Sequence, residues 1–333
     1  MPGLRDSAVV ITGASSGVGR AAALTFARQG ARLALAARRM ELLERLAAEC
    51  EALGAQAIAV PTDVGDSEAM RRLADTAAAR LGPIRVWINN AGVGAVGSYG
   101  ETPIAAHRRV IETNLLGAMN GAHAVLPQFF AERRGVLINT LSLGAWAAAP
   151  YAAAYATSKF GLRGFSESLR AELGSWPDIH VCDLFPSFLD TPGIAHGANY
   201  TGRALQPAPP VYDPQRVADA MFRLVLRPRP TVAVGMPARL ARLAHALAPG
   251  ITGWTTARFL ELYLHRAAAA PVTEGNLFQP VPEGSTIRGG WQGQNRPLLV
   301  GAALLAGMTA VGAATAAVRV LSSSRAGRKE ERD

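Results

Sequence analysis

Seven short apolar runs alternating with helical patterns predict a doubly wound α/β fold on a seven-stranded parallel sheet. The runs are Val9–Thr12, Arg32–Ala36, Ala57–Pro61, Val86–Asn89, Val136–Thr140, His180–Phe185 and Thr231–Gly235. They are apolar without alternation, the pattern of strands buried on both faces, and the intervening helices imply right-handed parallel crossovers. The chain has 333 residues, more than one such sheet needs. A domain over 1–235 is therefore expected to carry an extension and linker over 236–296, an apolar segment over 297–319 and a basic tail over 320–333.

Taken in order, the first strand runs into Thr12-Gly13-Ala14-Ser15-Ser16-Gly17-Val18-Gly19, followed by an alanine-rich helical pattern that ends at Gly30. Strand, glycine turn and helix form the arrangement in which small residues let the backbone approach a pyrophosphate and the helix N-terminus faces its charge. The second strand ends in Arg38-Arg39. An acidic residue there would accept hydrogen bonds from the adenosine ribose, whereas arginine suits a 2′-phosphate, so NADP(H) is expected in preference to NAD(H). Asp63-Val64 closes the third strand, and Asn89-Asn90-Ala91-Gly92 ends the fourth at a crevice that Gly92 lets the backbone approach closely.

Tyr155 and Lys159 are four residues apart in a helical pattern and so share one face. An ammonium beside the phenol is expected to lower a pKa that is ordinarily near ~10, bringing Tyr155 into the range of general acid/base work. Tyr151 could compete for that role but has no lysine four residues on.

These motifs, in this order, resemble the classical short-chain dehydrogenase/reductase family, whose Thr-Gly-x-x-x-Gly-x-Gly, Asn-Asn-Ala-Gly and Ser with Tyr-x-x-x-Lys signatures are matched by Gly13, Gly17 and Gly19, by Asn89 to Gly92, and by Ser142, Tyr155 and Lys159. The likeness covers roughly residues 5 to 235 and implies a Rossmann domain that interconverts a carbonyl and an alcohol. It also implies a role for each matched position. Tyr155 would be acid/base, Ser142 would hold the reacting oxygen, Lys159 would act on Tyr155 and hold the nicotinamide ribose, and Asn114 would position a water. Ser15, Ser16, Val18, Asn90, Ala91, Gly92, Pro186 and Thr191 would line the cofactor crevice, Arg38 would be the closest phosphate contact with Arg39 nearby, and Asp63-Val64 would meet the adenine. Asp63 could equally cap the helix beginning near Ser67. Ser187 departs from the family's glycine after Pro186, which puts the backbone there in question. Residues 193–212, with three prolines, read as a lid over the substrate or as a surface loop. The family also pairs the helices carrying Asn114 and Tyr155, which implies a homo-oligomer.

Composition narrows the remainder. There are 34 Lys and Arg against 25 Asp and Glu, a net charge of +9. The arginines are scattered, without an aromatic-interleaved patch, which argues against nucleic acid and for an anionic membrane surface. Cys50 and Cys182 form no disulfide framework and fit a reduced compartment, and the six histidines show no metal-ligand spacing. No secretory signal precedes the first strand, so the catalytic domain is expected to be cytoplasmic.

In the extension, Pro237 to Ala248 and Thr255 to Arg266 carry amphipathic helical patterns that could lie on a membrane or pack on the domain, and Ala270 to Gln294, rich in Pro and Gly, reads as an extended linker. Leu298 to Val318 runs 21 residues without a charge, between Arg296 and Arg319. As a helix that is about 31 Å, enough for a bilayer core of ~30 Å. The arginines after it favour a cytoplasmic tail, which conflicts with a cytoplasmic domain on a single span. A membrane-tethered oxidoreductase acting on an apolar carbonyl or secondary alcohol is the first functional expectation. A cofactor-binding sensor or scaffold with a residual redox site is the second, and an epimerase or dehydratase is disfavoured by the glycine spacing.

Overall fold

In the computed structural model the described residues are 7–236, 238, 249–281 and 284–292. Seven parallel strands form one sheet: β1 (Ala8–Thr12), β2 (Arg32–Ala37), β3 (Gln56–Pro61), β4 (Ile84–Asn89), β6 (Gly135–Thr140), β7 (Ile179–Pro186) and β9 (Thr231–Val234), in the order β3-β2-β1-β4-β6-β7-β9. Two further short strands, β5 (Ala95–Val96) and β8 (Ala198–Asn199), pair with each other in a separate parallel sheet. The seven-stranded parallel architecture expected from the apolar runs is therefore present. The reason is visible in β1, where Val9 and Ile11 face one core while Ala8 and Val10 face the other.

Helices cover both faces. On one side α1 (Gly17–Ala27), α2 (Met40–Ala52) and α8 (Gln215–Leu226) bury Phe26, Leu43, Leu46 and Met221 against the sheet. On the other, α3 (Ser67–Leu81), α5 (Gly117–Ala131) and α6 (Ala153–Glu172) contribute Met70, Leu73, Phe129 and Leu169 around Trp87. The buried thiols of Cys50 and Cys182 sit in the first of these cores, and burial pushes them up to about 12 and about 11, so both are inert packing groups.

The order of the strands reverses between β1 and β4, and in open α/β sheets a ligand crevice lies outside the carboxyl ends of the strands at such a point. Around this crevice sit α4 (Ile104–Ile111) and the short α7 (Gly193–His196), while α9 (Pro249–Arg266), from the extension, is tied to the segment after α7 by the Tyr263 hydroxyl, which donates to the Ala204 carbonyl at 2.8 Å. Residues 193–212 are thus a built segment with a helical turn and a strand.

The extension differs more. The stretch after α9 is not an extended linker but a strap that returns to the crevice. Asn199 and Thr273 exchange both backbone hydrogen bonds at 2.8 and 2.9 Å, and Leu277 is fully buried. Its composition suggested a linker because most of its anchoring runs through backbone carbonyls, which leave no trace in residue type. Among the described residues no helix is long and apolar enough to cross a membrane. The segment 298–318 and most of the amphipathic pattern Pro237 to Ala248 lie outside the described residues.

Candidate active site

The site begins at the glycine turn. The Thr12 hydroxyl accepts from the backbone N–H groups of Asn90 (3.0 Å) and Ala91 (3.2 Å), and Asn90 Nδ2 donates back to the Thr12 carbonyl at 3.1 Å. The ends of β1 and β4 are thereby fixed side by side. Gly13 has φ +65°, and a Cβ on it would stand 2.8 Å from Ala91 Cα, so only glycine fits there. Ser16 precedes α1 in extended conformation, and its hydroxyl makes no hydrogen bond to the helix it starts. No side chain caps the N-terminus of α1, the end of a helix that favours an anion, and of its amides that of Gly17 is taken by the Thr286 carbonyl.

Across the crevice, the end of β6 leads to Ser142, whose hydroxyl accepts from Gly144 N–H at 3.1 Å and which lines the cavity beside Tyr155. Ser142 is thus both a turn residue and a neighbour of the tyrosine. Lys159, 4% exposed, donates from Nζ to the Thr140 carbonyl at 2.9 Å and lies 5.7 Å from the centre of the Tyr155 ring. The expectation that Lys159 lowers the Tyr155 pKa is not what this geometry gives. Burial raises the phenol above its ordinary value, the Ser142 hydrogen bond opposes this, and burial also brings Lys159 down to about 8. The ammonium faces a carbonyl rather than the phenol oxygen, and enclosure disfavours both charges.

Asn114 is 1% exposed and occupies a π-helical turn, Glu112–Leu116, between α4 and α5. Its side chain accepts from Val93 N–H at 2.8 Å and donates to the Val93 carbonyl at 2.9 Å and to Ser158 Oγ at 3.2 Å. It clamps the chain after Gly92, and a Cβ at Gly92 would lie 3.4 Å from Asn114 Oδ1 and 3.9 Å from Lys159 Nζ. Local π turns of this kind often re-aim a side chain at functional sites.

At the opposite end, Arg39 donates to Ser15 Oγ at 3.1 Å, and Asp63 forms an ion pair with Arg109. Burial works against the Asp63 charge, but the hydrogen bonds from Arg109 and Gly65 N–H hold its carboxyl below the ordinary range. Asp66, not Asp63, caps α3, accepting from Glu68 and Ala69 N–H at 2.9 and 3.1 Å. Arg109 and the strap were missed by sequence reasoning. Arg38 donates to the carbonyls of Asn276 (2.5 Å), Leu277 (3.1 Å) and Phe278 (3.3 Å), Arg39 donates to that of Val281 (3.0 Å), and Gly17 N–H donates to that of Thr286 (2.9 Å).

Ser15, Arg38, Arg39, Asp63, Asn90, Gly92, Arg109, Ser142, Tyr155 and Lys159 line one cavity of about 550 Å³ that runs from the arginines to Tyr155, whereas Gly19 and Asn114 stand outside its lining. Val64, Pro186 and Thr191 also line it, Thr191 standing against Gly17. Ser187 is accommodated without left-handed backbone, which among non-glycine described residues is found only at Arg133 and Tyr151. Beyond the Ser142–Tyr155 pair the walls turn apolar, with Leu143, Ala149, Ala152, Val96, Ile194 and Leu205. Tyr151 is not among the lining residues.

The donor set suits a nicotinamide dinucleotide. A helix N-terminus without a side-chain cap and two arginines offer cationic and N–H groups at one end, and the Thr113 and Thr140 hydroxyls and Asn276 Oδ1 are buried lining groups without a hydrogen-bond partner. The comparisons agree with this geometry. Residues 7–198 match the family model described as short chain dehydrogenase. The uncharacterized oxidoreductase YxnA of Bacillus subtilis is 32% identical over 327 residues, 93% of this chain and 91% of that one, so the likeness reaches far into the extension. The 1-deoxy-11-beta-hydroxypentalenate dehydrogenase of Streptomyces exfoliatus is 42% identical over 194 residues, covering 57% of this chain and 70% of that one. Among solved structures, an alcohol dehydrogenase from the archaeon Thermococcus sibiricus complexed with 5-hydroxy-NADP superposes with a TM-score of 0.60 at 28% identity, covering 68% of this chain and 95% of that one. A metagenomic short-chain oxidoreductase in complex with NADP gives 0.59 at 29%, covering 69% and 96%. With the glycine turn, the Ser142–Tyr155 pair and Lys159 gathered on one crevice, this chain belongs to the short-chain dehydrogenase family of oxidoreductases.

Proposed function

We propose that the chain is an NADP(H)-dependent oxidoreductase interconverting an apolar carbonyl compound and its secondary alcohol. The observation that carries this reading is that Ser142, Tyr155 and Lys159 line one cavity together, where a polar cleft gives way to an apolar pocket. A bound nicotinamide supplies hydride transfer to or from the substrate carbon. The chain's own residues do the rest. Tyr155 gives its proton to the developing alkoxide in reduction and takes it back in oxidation, while the Ser142 hydroxyl holds the same oxygen. The raised phenol pKa keeps Tyr155 protonated at neutral pH, which suits the donor role. Lys159, held on the Thr140 carbonyl, and Asn114, clamping Val93, fix the floor on which the pair stands.

Arg38 and Arg39 support NADP(H) over NAD(H), as do the NADP complexes of two similar structures. Gly13, Ser15, Ser16, Gly17, Val18, Gly19, Asn90, Ala91 and Gly92 are assigned to the pyrophosphate and ribose side, and Val64 with Thr191 to the two ends. A homo-oligomer and a membrane tether through 298–318 belong to the same proposal, with the catalytic domain on the cytoplasmic side. The test is NADPH oxidation against a panel of apolar ketones. Tyr155→Phe is expected to lower turnover by ~10²–10⁴-fold with NADPH affinity within about twofold of wild type. Turnover close to wild type in that variant sinks the assignment of Tyr155.

A further inference from the structure

We propose that the strap after α9 is a fourth wall of the cofactor site, closing over the adenosine half of the dinucleotide, with Asn276 Oδ1 as an acceptor for an N–H or O–H group of the adenosine. This rests on the function proposed above and extends it to a segment outside the family match, which ends at residue 198.

The strap is anchored at both ends on the substrate side of the crevice. At one end Thr273 pairs with Asn199, and at the other Trp291 N–H donates to Asp190 Oδ1 at 2.7 Å, with Arg288 ion-paired to Asp213 at 2.6 Å. Between them the chain crosses the mouth of the glycine turn, on either side of 282–283, which lie outside the described residues. Its carbonyls take donors from Arg38, Arg39, Arg109 and Gly17. Its inward side chains Asn276, Pro280 and Val281 line the same cavity as Asp63 and Tyr155. Leu277, fully buried, packs with Val93, Val110 and Ala154, and Tyr155 rests against that cluster. Glycine at 275, with φ +52°, is required because a Cβ would run into the carbonyls of His196 and Gly197.

Asn276 is the part of this wall that points to a ligand. Its backbone N–H donates to the His196 carbonyl at 2.8 Å and its carbonyl accepts from Arg38, so its main chain is satisfied. Its Oδ1 is buried in the cleft lining without a partner. A buried amide oxygen in that state gains most from a donor brought by a ligand. A guanidinium has five donors and strap carbonyls take three from Arg38, so two remain for a phosphate alongside the strap. Wall and cofactor can therefore share the arginine. A dinucleotide beneath a wall tied at both ends leaves only when the wall opens.

The experiment measures NADPH binding by fluorescence titration, its dissociation by stopped-flow chase, and hydrogen exchange of 272–281 and 284–292, all without turnover. Asn276→Leu, which keeps the branching of the side chain and removes its acceptor, is expected to weaken NADPH about three- to tenfold. Arg288→Ala with Asp190→Ala, which removes the side-chain anchors of the far end, is expected to speed dissociation at least tenfold. Bound NADPH is expected to slow exchange in the strap. Dissociation and affinity within twofold of wild type in both variants overturn the inference, as does faster strap exchange on binding, which would make the strap a competitor. A wild-type chain that binds neither NADPH nor NADH overturns the proposed function along with it, whereas binding with unchanged dissociation overturns this inference alone.

Discussion

Lys159 shows how one buried charge couples chemistry to stability. Lys159 is 4% exposed, its ammonium donates to the Thr140 carbonyl, and burial brings its pKa from 10.5 to about 8. Between those two values the unfolded chain binds more protons than the native one, so native stability rises with pH across that window. The cost of holding the ammonium is complete below about pH 8 and gone near 10.5. Lys159→Met removes it, and its stability relative to wild type is expected to be greatest at pH 7 and to fade as pH approaches 10.5. Losing the bond to Thr140 shifts both ends of that comparison equally, so the pH dependence, not the absolute difference, is the test. Urea melts of both proteins at several pH values read it directly, and a pH-independent difference would contradict the assignment. Carbonyl reduction is expected to fall by orders of magnitude in the same variant, the common trade between stability and a strained site.

At the scale of elements, Arg38 joins β2 to the strap, and its removal is expected to act on both. Arg38→Ala should raise hydrogen exchange in 276–278, where three carbonyls lose a hydrogen bond and only that of Leu277 keeps another, from Arg109, and should lower preference for NADPH over NADH by about ten- to a hundredfold. A preference that holds while the strap loosens would assign the phosphate to Arg39 alone. This double role also shows where sequence reading stops. The seven strands were legible because each buries both faces, which writes a run of apolar residues, and the glycine turn was legible because Gly13 and Gly19 meet backbone that no Cβ clears. Arg38 and Arg39 were legible as donors at the crevice. Their partners were not, because a backbone carbonyl is carried by every residue. Arg109 was hidden for a related reason: it reaches Asp63 from a helix 46 residues on, and neither periodicity nor motif marks such a pair. The π turn that aims Asn114 at Val93 has no residue signature either.

For the whole molecule, the strap sets where the remaining chain can go. Gln292 stands beside the substrate side of the crevice, donating to the Val211 carbonyl at 3.3 Å, and only five residues separate it from Leu298. At ~3.3–3.6 Å per residue that reach is about 20 Å when extended. A bilayer entered by 298–318 would therefore hold the apolar mouth of the cavity close to its surface, where apolar ketones concentrate. A chain ended at Gln292 keeps the sheet, the crevice and both anchors of the strap, and is expected to fold and to bind NADPH with the affinity of the full chain. The two chains should separate on substrate delivery. Full-length protein is expected to sediment with vesicles and resist alkaline extraction, and to reduce a vesicle-partitioned ketone at least several-fold faster than the shortened chain. A water-soluble ketone should be reduced by both at the same rate. Equal rates on both substrates, with neither chain retained by vesicles, would place the segment's role elsewhere and leave the strap as the outermost part of the catalytic unit.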